Sequence, residues 1–167
     1  MTKISTLPTK QKHSLTEGMS DELRISYQVT VVANLMAFGG SPQNVKRFGI
    51  NLREWRVLGS IGRLGPLTAK QMSDTAHQDK ATISRAISDL EKKGIIVKLP
   101  NKSHKRSPLI WMTEQGKALY DNIVPTFTEQ ASQFTNVLSA KEKNQLCELL
   151  DKLKNHIELV KEEQGLN

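Results

Sequence analysis

Apolar residues between Asp21 and Phe38 fall on almost every face of a helical wheel: Leu23, Ile25, Tyr27, Val29, Val31, Val32, Leu35, Met36 and Phe38. Such a helix needs cover on two sides, and the run Gly39-Gly40-Ser41-Pro42 breaks it. From Leu52 the pattern becomes one-sided. Leu52, Trp55, Leu58, Ile61 and Leu64 recur every three or four residues behind Asn51 and Glu54, which have capping-box spacing. Gly65-Pro66 stops this helix, and Thr68 with Gln71 opens a short one in the same capping relation. A longer helix follows over about Asp79–Lys93, with Ile83, Ala86, Ile87 and Leu90 on one face and Gly94 where a C-terminal cap belongs.

The period then changes. "IIVKL" and "LIWM" are β-branched or bulky apolar runs, and the octet 101–108 between them is rich in turn-forming and basic residues, so the pattern predicts a β-hairpin with a basic tip. Thr113 caps a further helix to about Phe134, with a bend expected near Pro125, and the box Ser139…Glu142 opens the last helix. In that helix Leu146, Leu149, Leu150, Leu153, Ile157 and Val160 form a narrow apolar seam of the sort that meets another helix. The expected fold is mainly α with one small β-hairpin. Residues 1–20 are polar, aperiodic and interrupted by Pro8 and Gly18, as in a disordered arm.

Charge sharpens this picture. The 167 residues carry 24 lysines and arginines against 17 acids, a net charge of +7, which favours an anionic partner. The excess is local: residues 80–106 hold eight bases and two acids, whereas 114–167 hold six bases and nine acids. A basic stretch of this kind suits a binding face. One cysteine rules out an internal disulfide framework. Residues 1–20 lack the apolar core of a secretory signal, and no apolar run approaches the ~20 residues of a membrane span, so a cytoplasmic protein without a membrane partner is expected. His13, His77, His104 and His156 are scattered without a recognisable metal spacing, so neither metal nor cofactor is expected. Cys147, beside Leu146 and Leu149, reads as a small buried apolar residue, and Trp111 on the second strand reads as core.

A short helix, a tight turn and a second helix with an apolar inner face make a helix-turn-helix, whose second member enters the DNA major groove. On "AKQMSDTAHQDKATISRAISDLEKKG" the residues expected to meet bases or phosphates are Gln78, Lys80, Thr82, Ser84, Arg85 and Ser88, with Thr68 heading the first helix. Arg85 is the leading reader. The hairpin tip adds Lys102, His104, Lys105 and Arg106 as contacts to the neighbouring backbone or minor groove.

The stretches "ATISRAISDLEKKGII" and "KRSPLIWMTEQG", with the order of flanking helices, resemble the winged helix-turn-helix core of MarR-family transcriptional regulators, over about residues 20–163. The resemblance implies a homodimer joined through its first and last helices that binds a pseudo-palindromic double-stranded operator and is often released by a small ligand. On that basis 21–50 is an N-terminal dimerisation helix with its connection, 51–113 the winged helix-turn-helix domain and 114–167 the C-terminal dimerisation helices. Leu23, Leu146, Leu149, Leu150, Leu153 and Ile157 are the interface candidates. The family's wing usually carries Asp-Arg-Arg where this chain has His104, Lys105 and Arg106. Without that acid the wing is expected to be more mobile, or His104 to act differently. Trp55 lies near the family's ligand crevice, with Arg24, Ser26, Tyr27, Thr30, Arg47 and Arg56 within sequence reach. Arginine beside an aromatic wall suits an aromatic carboxylate. The expected function is a ligand-released repressor. A sequence-neutral architectural protein is the alternative, and a nucleic-acid-processing enzyme a remoter one, because no carboxylate cluster or phosphate loop occurs.

Overall fold

The structure, a computed structural model, describes residues 17–37 and 42–165. The expected arm 1–20 lies outside the described residues except for 17–20, and the expected break at 39–42 except for Pro42. In chain order the elements are α1 Asp21–Leu35, α2 Pro42–Phe48, α3 Leu52–Leu64, α4 Ala69–Ala76, α5 Lys80–Lys92, β1 Ile96–Leu99, β2 Leu109–Met112, α6 Glu114–Thr135 and α7 Ala140–Glu163. The described residues fall into two compact units, 17–37 and 42–165. Within the first, α1 is capped by Ser20 and ends at Leu35, short of the Phe38 expected, and buries none of its own side chains.

Within 21–50, where the sequence predicts one helix and a connection, the structure has a second helix, α2. Its seven residues offer only Val45 and Phe48 as apolar side chains, too few to show a period. Proline at its first position has no N–H to satisfy there and already holds a helical φ. Phe48 is buried, and its ring meets Phe127 of α6 edge-on at 6.3 Å.

The winged helix-turn-helix is assembled around one core. Leu58 and Ile61 of α3, Met72 of α4, Ile83 and Leu90 of α5, Ile110 of β2 and Ile123 of α6 are fully buried, each from the apolar face that the helical or strand period marks. All three expected capping boxes form, at Asn51/Glu54, Thr68/Gln71 and Ser139/Glu142. Gly94 follows α5 with φ +70°, and Ile95 N donates to Leu90 O at 3.0 Å, so the glycine turns the chain from helix into strand. β1 and β2 pair antiparallel with Ile96 opposite Met112 and Leu99 opposite Leu109. The wing gains a further bridge at Leu67, which exchanges two backbone hydrogen bonds with Ile110.

α6 continues through Pro125 as one helix, although the ring leaves the Asp121 carbonyl without its usual donor. It begins tight against the sheet: a Cβ at Gly116 would collide with the Ile95 carbonyl oxygen, so only glycine fits. A Cβ at Gly62 would likewise enter the Tyr120 ring, which is how α3 and α6 approach. α7 buries none of its residues, and Leu146, Leu149, Leu150, Leu153 and Ile157 are exposed along it. Cys147 is exposed with them, which corrects the expectation that it is buried: the seam that carries it faces outward from this chain.

Candidate nucleic-acid interface

α5 presents its outer face through a local accounting of hydrogen bonds. Asp79 caps it, accepting from Thr82 N at 2.8 Å. The preceding turn is made by His77, the one non-glycine with positive φ among the described residues (φ 48°, ψ 42°). Ser73 Oγ donates to Gln78 O at 2.6 Å and fixes the end of that turn. His77 Nε2 also lies 3.2 Å from Glu158 Oε1, placing the C-terminal half of α7 beside the turn. The Asp79 carboxyl titrates below its ordinary value, chiefly through the Thr82 hydroxyl and backbone N–H and to a lesser degree through the Arg85 charge.

The sequence-expected residues divide by environment. Lys80, Ser84 and Arg85 are exposed on α5, Thr82 and Ser88 are half-buried, and the Arg85 guanidinium rests 3.4 Å from the Thr82 hydroxyl. Lys102, His104, Lys105 and Arg106 are all exposed at the hairpin tip. Thr68 is different: it is buried, and its hydroxyl accepts from Gln71 N at 3.2 Å in the capping box. Gln78 is half-buried and accepts from Arg56 Nη1 at 3.0 Å. Arg56, named above among the ligand candidates, thus touches the residue that precedes the Asp79 cap of α5.

The local cationic excess is smaller than the sequence count implies. Lys93 Nζ lies 2.6 Å from Glu54 Oε1, Lys98 pairs with Glu91, and Lys92 stands 4.0 Å from Asp89. Lys80, Arg85, Lys102, Lys105 and Arg106 make no ion pair among the described residues, and they lie on α5 and the hairpin loop. Between α4, α5 and the hairpin runs a cleft of about 410 Å³ lined by Lys70, Ser84, Ser88, Lys98, Arg106 and Ser107, among others.

Asn101 organises the hairpin tip and was missed in the sequence. Its Oδ1 accepts from Ser103 N at 3.1 Å and His104 N at 3.2 Å, and its Nδ2 donates to Ser107 O at 2.8 Å. Ser107 N donates in turn to His104 O at 2.9 Å. The signal was present, since Asn at the start of a turn bonds its own backbone two residues on. These bonds give the octet a defined turn at its base.

Of the residues expected around a ligand, Trp55 sits in an aromatic cluster, stacked on Tyr120 at 5.9 Å between ring centres and edge-on to Phe127 at 4.6 Å. Arg47 lies over the Phe48 ring at 4.9 Å. Arg24, Ser26, Tyr27 and Thr30 belong to α1, where Arg24 pairs with Asp21 at 2.9 Å and Thr30 Oγ1 donates to Ser26 O at 2.9 Å.

The arrangement of α3, α4, α5 and hairpin is shared with known proteins. Residues 48–107 match the MarR family. An HTH-type transcriptional regulator of Bacillus cereus is 33% identical over 119 residues, spanning 71% of this chain and 79% of that protein. The chain belongs to the MarR family. A MarR/EmrR family transcriptional regulator from Acinetobacter sp. ADP1 superposes with a TM-score of 0.76 at 28% identity, over 84% of this chain and 99% of the other. NadR in complex with 4-hydroxyphenylacetate has the same fold at 20% identity and a TM-score of 0.64, over 88% of this chain and 97% of NadR. As a MarR-family regulator the protein is a DNA-binding transcription factor and not an enzyme.

The Asp79 cap makes a titration prediction. A carboxyl whose folded pKa is depressed contributes stability that is present above its ordinary value, 3.8, and lost as pH falls through the folded value. Asp79→Asn keeps an acceptor but cannot ionise. Thermal melts of both proteins between about pH 6 and about pH 3 should show the wild type losing its advantage over the variant only in the acid range. A difference that is constant across that range would refute the assignment.

Proposed function

We propose that this MarR-family protein is a homodimeric repressor that acts in the cytoplasm, places α5 in the major groove and the hairpin loop on the adjacent backbone, and leaves its operator when a small aromatic acid or phenol binds. The observation that carries the DNA contact is the placement of charge. Lys80, Arg85, Lys102, Lys105 and Arg106 are exposed cations that form no ion pair among the described residues, and all project from two neighbouring elements. Arg85 is the base reader and Lys105 and Arg106 bind phosphate, because an arginine fork matches guanine and lysine acts as a point charge.

The test uses a duplex selected by the protein from a random pool. Arg85→Ala should weaken binding to it by about 1–3 kcal/mol at fixed salt. Replacing Lys105 and Arg106 together with alanine should lower affinity for all sequences and reduce the salt slope by about two counterions' worth. Fluorescence anisotropy across a salt series reads both. An unchanged slope would remove the wing from the contact, and random DNA competing as well as the selected duplex would favour the architectural alternative.

The dimer is supported by α7, whose five exposed apolar side chains from Leu146 to Ile157 lie at helical spacing, and by Leu23, Ile25, Val29, Val32 and Leu35 exposed on α1. Contiguous apolar surface of this kind marks an interface. Two recognition helices then meet successive major grooves ~34 Å apart. Converting Leu150 and Leu153 to lysine should yield monomers by light scattering, because charges cannot be left in a desolvated seam. A well-folded dimer would put the interface elsewhere.

Release by an aromatic acid is supported by the Trp55–Tyr120–Phe127 cluster with Arg47 nearby and by the 4-hydroxyphenylacetate bound to NadR. A ligand shifts the equilibrium only by its differential affinity for the two states. Benzoate, salicylate and 4-hydroxyphenylacetate titrated into the protein–duplex complex should weaken binding at least about tenfold and change Trp55 emission in a Trp111→Phe background. Emission and affinity both unmoved at millimolar acid would defeat this reading.

A further inference from the structure

Three consecutive residues of α3 divide their partners in an unexpected way. Trp55 faces α6, while its two neighbours reach opposite ends of α5. Glu54 Oε1 takes an ion pair from Lys93 Nζ at 2.6 Å, at the C-cap of α5, and Lys93 Nζ also donates to Gly49 O at 2.8 Å. Arg56 Nη1 donates to Gln78 Oε1 at 3.0 Å, immediately before the Asp79 N-cap. α5 has 13 residues and is ~20 Å long, so the two holds lie about one helix length apart. Two separated points fix the tilt of a rod where one leaves it free to pivot.

Each hold is braced on its own side. Glu54 is buried and its second oxygen accepts from Asn51 N at 2.7 Å, which fixes the carboxylate to the start of α3. Gln78 has its carbonyl held by Ser73 Oγ. The chain path that carries Gly49 also carries Phe48, whose ring meets Phe127, and Phe127 meets Trp55. The two ends of α5 and the aromatic cluster are thus joined through residues 48–56.

We propose that Glu54–Lys93 and Arg56–Gln78 form a two-ended clamp by which α3 sets the tilt of α5, making Glu54, Arg56, Gln78 and Lys93 positioning residues for DNA discrimination rather than DNA contacts. The proposal rests on the reading of α5 as the DNA-reading helix. A tilt error displaces bidentate base contacts, which are directional, far more than contacts to phosphates, which are distributed along the backbone. Loss of the clamp therefore erodes discrimination and spares affinity for any sequence.

The experiment compares the duplex selected by the wild-type protein with a scrambled duplex of the same length, each over a salt series, for Arg56→Ala, Lys93→Gln, Lys93→Arg and Arg85→Ala. Removing a hydrogen bond to a charged group should lower the selected-to-scrambled affinity ratio by about tenfold in Arg56→Ala and Lys93→Gln, leaving scrambled-duplex affinity and its salt slope essentially unchanged. Lys93→Arg should restore most of the ratio, since arginine can still pair with Glu54. Arg56→Ala alters an exposed side chain and keeps the test open if Lys93→Gln, which strands a buried carboxylate, does not fold. Ratios unchanged in both variants while Arg85→Ala collapses it would overturn the clamp and leave the DNA reading intact. An equal loss on both duplexes with a shallower salt slope would overturn it as well, by making Arg56 and Lys93 phosphate contacts. A ratio indifferent to Arg85→Ala would bring down the reading of α5, and the clamp with it.

Discussion

The Glu54 carboxylate is the charged group buried in the core of the described residues, and satisfying it ties the start of α3 to the end of α5. Its two oxygens face different demands. One completes the cap of α3 by accepting from Asn51 N, and the other meets Lys93, which comes from 39 residues further along the chain. Burying a carboxylate is costly unless it is paired and hydrogen-bonded. Breaking such a pair is worse than never having it, since the remaining charge is stranded. α3 and the end of α5 are therefore held in one relation more by the penalty for separating them than by any net gain from the pair.

That constraint changes how the positive charge is read. Sequence counts place Lys93 and Lys98 among the bases of a binding face, yet both are occupied within the fold. Lys98 joins β1 to Glu91 on the last turn of α5, so the hairpin is tied electrostatically to the helix it follows. Such half-exposed pairs add little to stability, but they remove charge from the pool available to a polyanion. The remaining cations stand at the tip of the hairpin and along the first turns of α5. There the N-terminal end of the helix dipole adds to the positive potential.

The wing is shaped at its base by a neutral amide. Asn101 supplies both an acceptor and a donor, which closes the loop from both sides. A carboxylate there would accept but could not donate to Ser107 O. The basic side chains of the loop consequently project from a backbone with a defined turn.

Local signals in the sequence determined much of the fold of this MarR-family regulator. Capping boxes at Asn51, Thr68 and Ser139, the break at Gly65, the turn at Gly94 and the switch from a helical to a strand period after it are all short-range effects, and each appears where its residues stand. The exposed faces of α5 and the hairpin tip were legible for the same reason, since amphipathic period alone assigns them. Tertiary structure decided the rest. Helix α2 has too few residues to show a period, and Phe48 is buried because α6 brings Phe127 to it. Nothing local in Arg56 or Gln78 distinguishes a ligand or DNA contact from a mutual hydrogen bond across 22 residues. The same holds for Lys93, which looks like any terminal lysine of an amphipathic helix until Glu54 is placed beneath it. Partner choice between distant polar side chains depends on the packed backbone, because an ion pair or hydrogen bond has a reach of only a few ångströms and the chain between its members carries no record of the meeting.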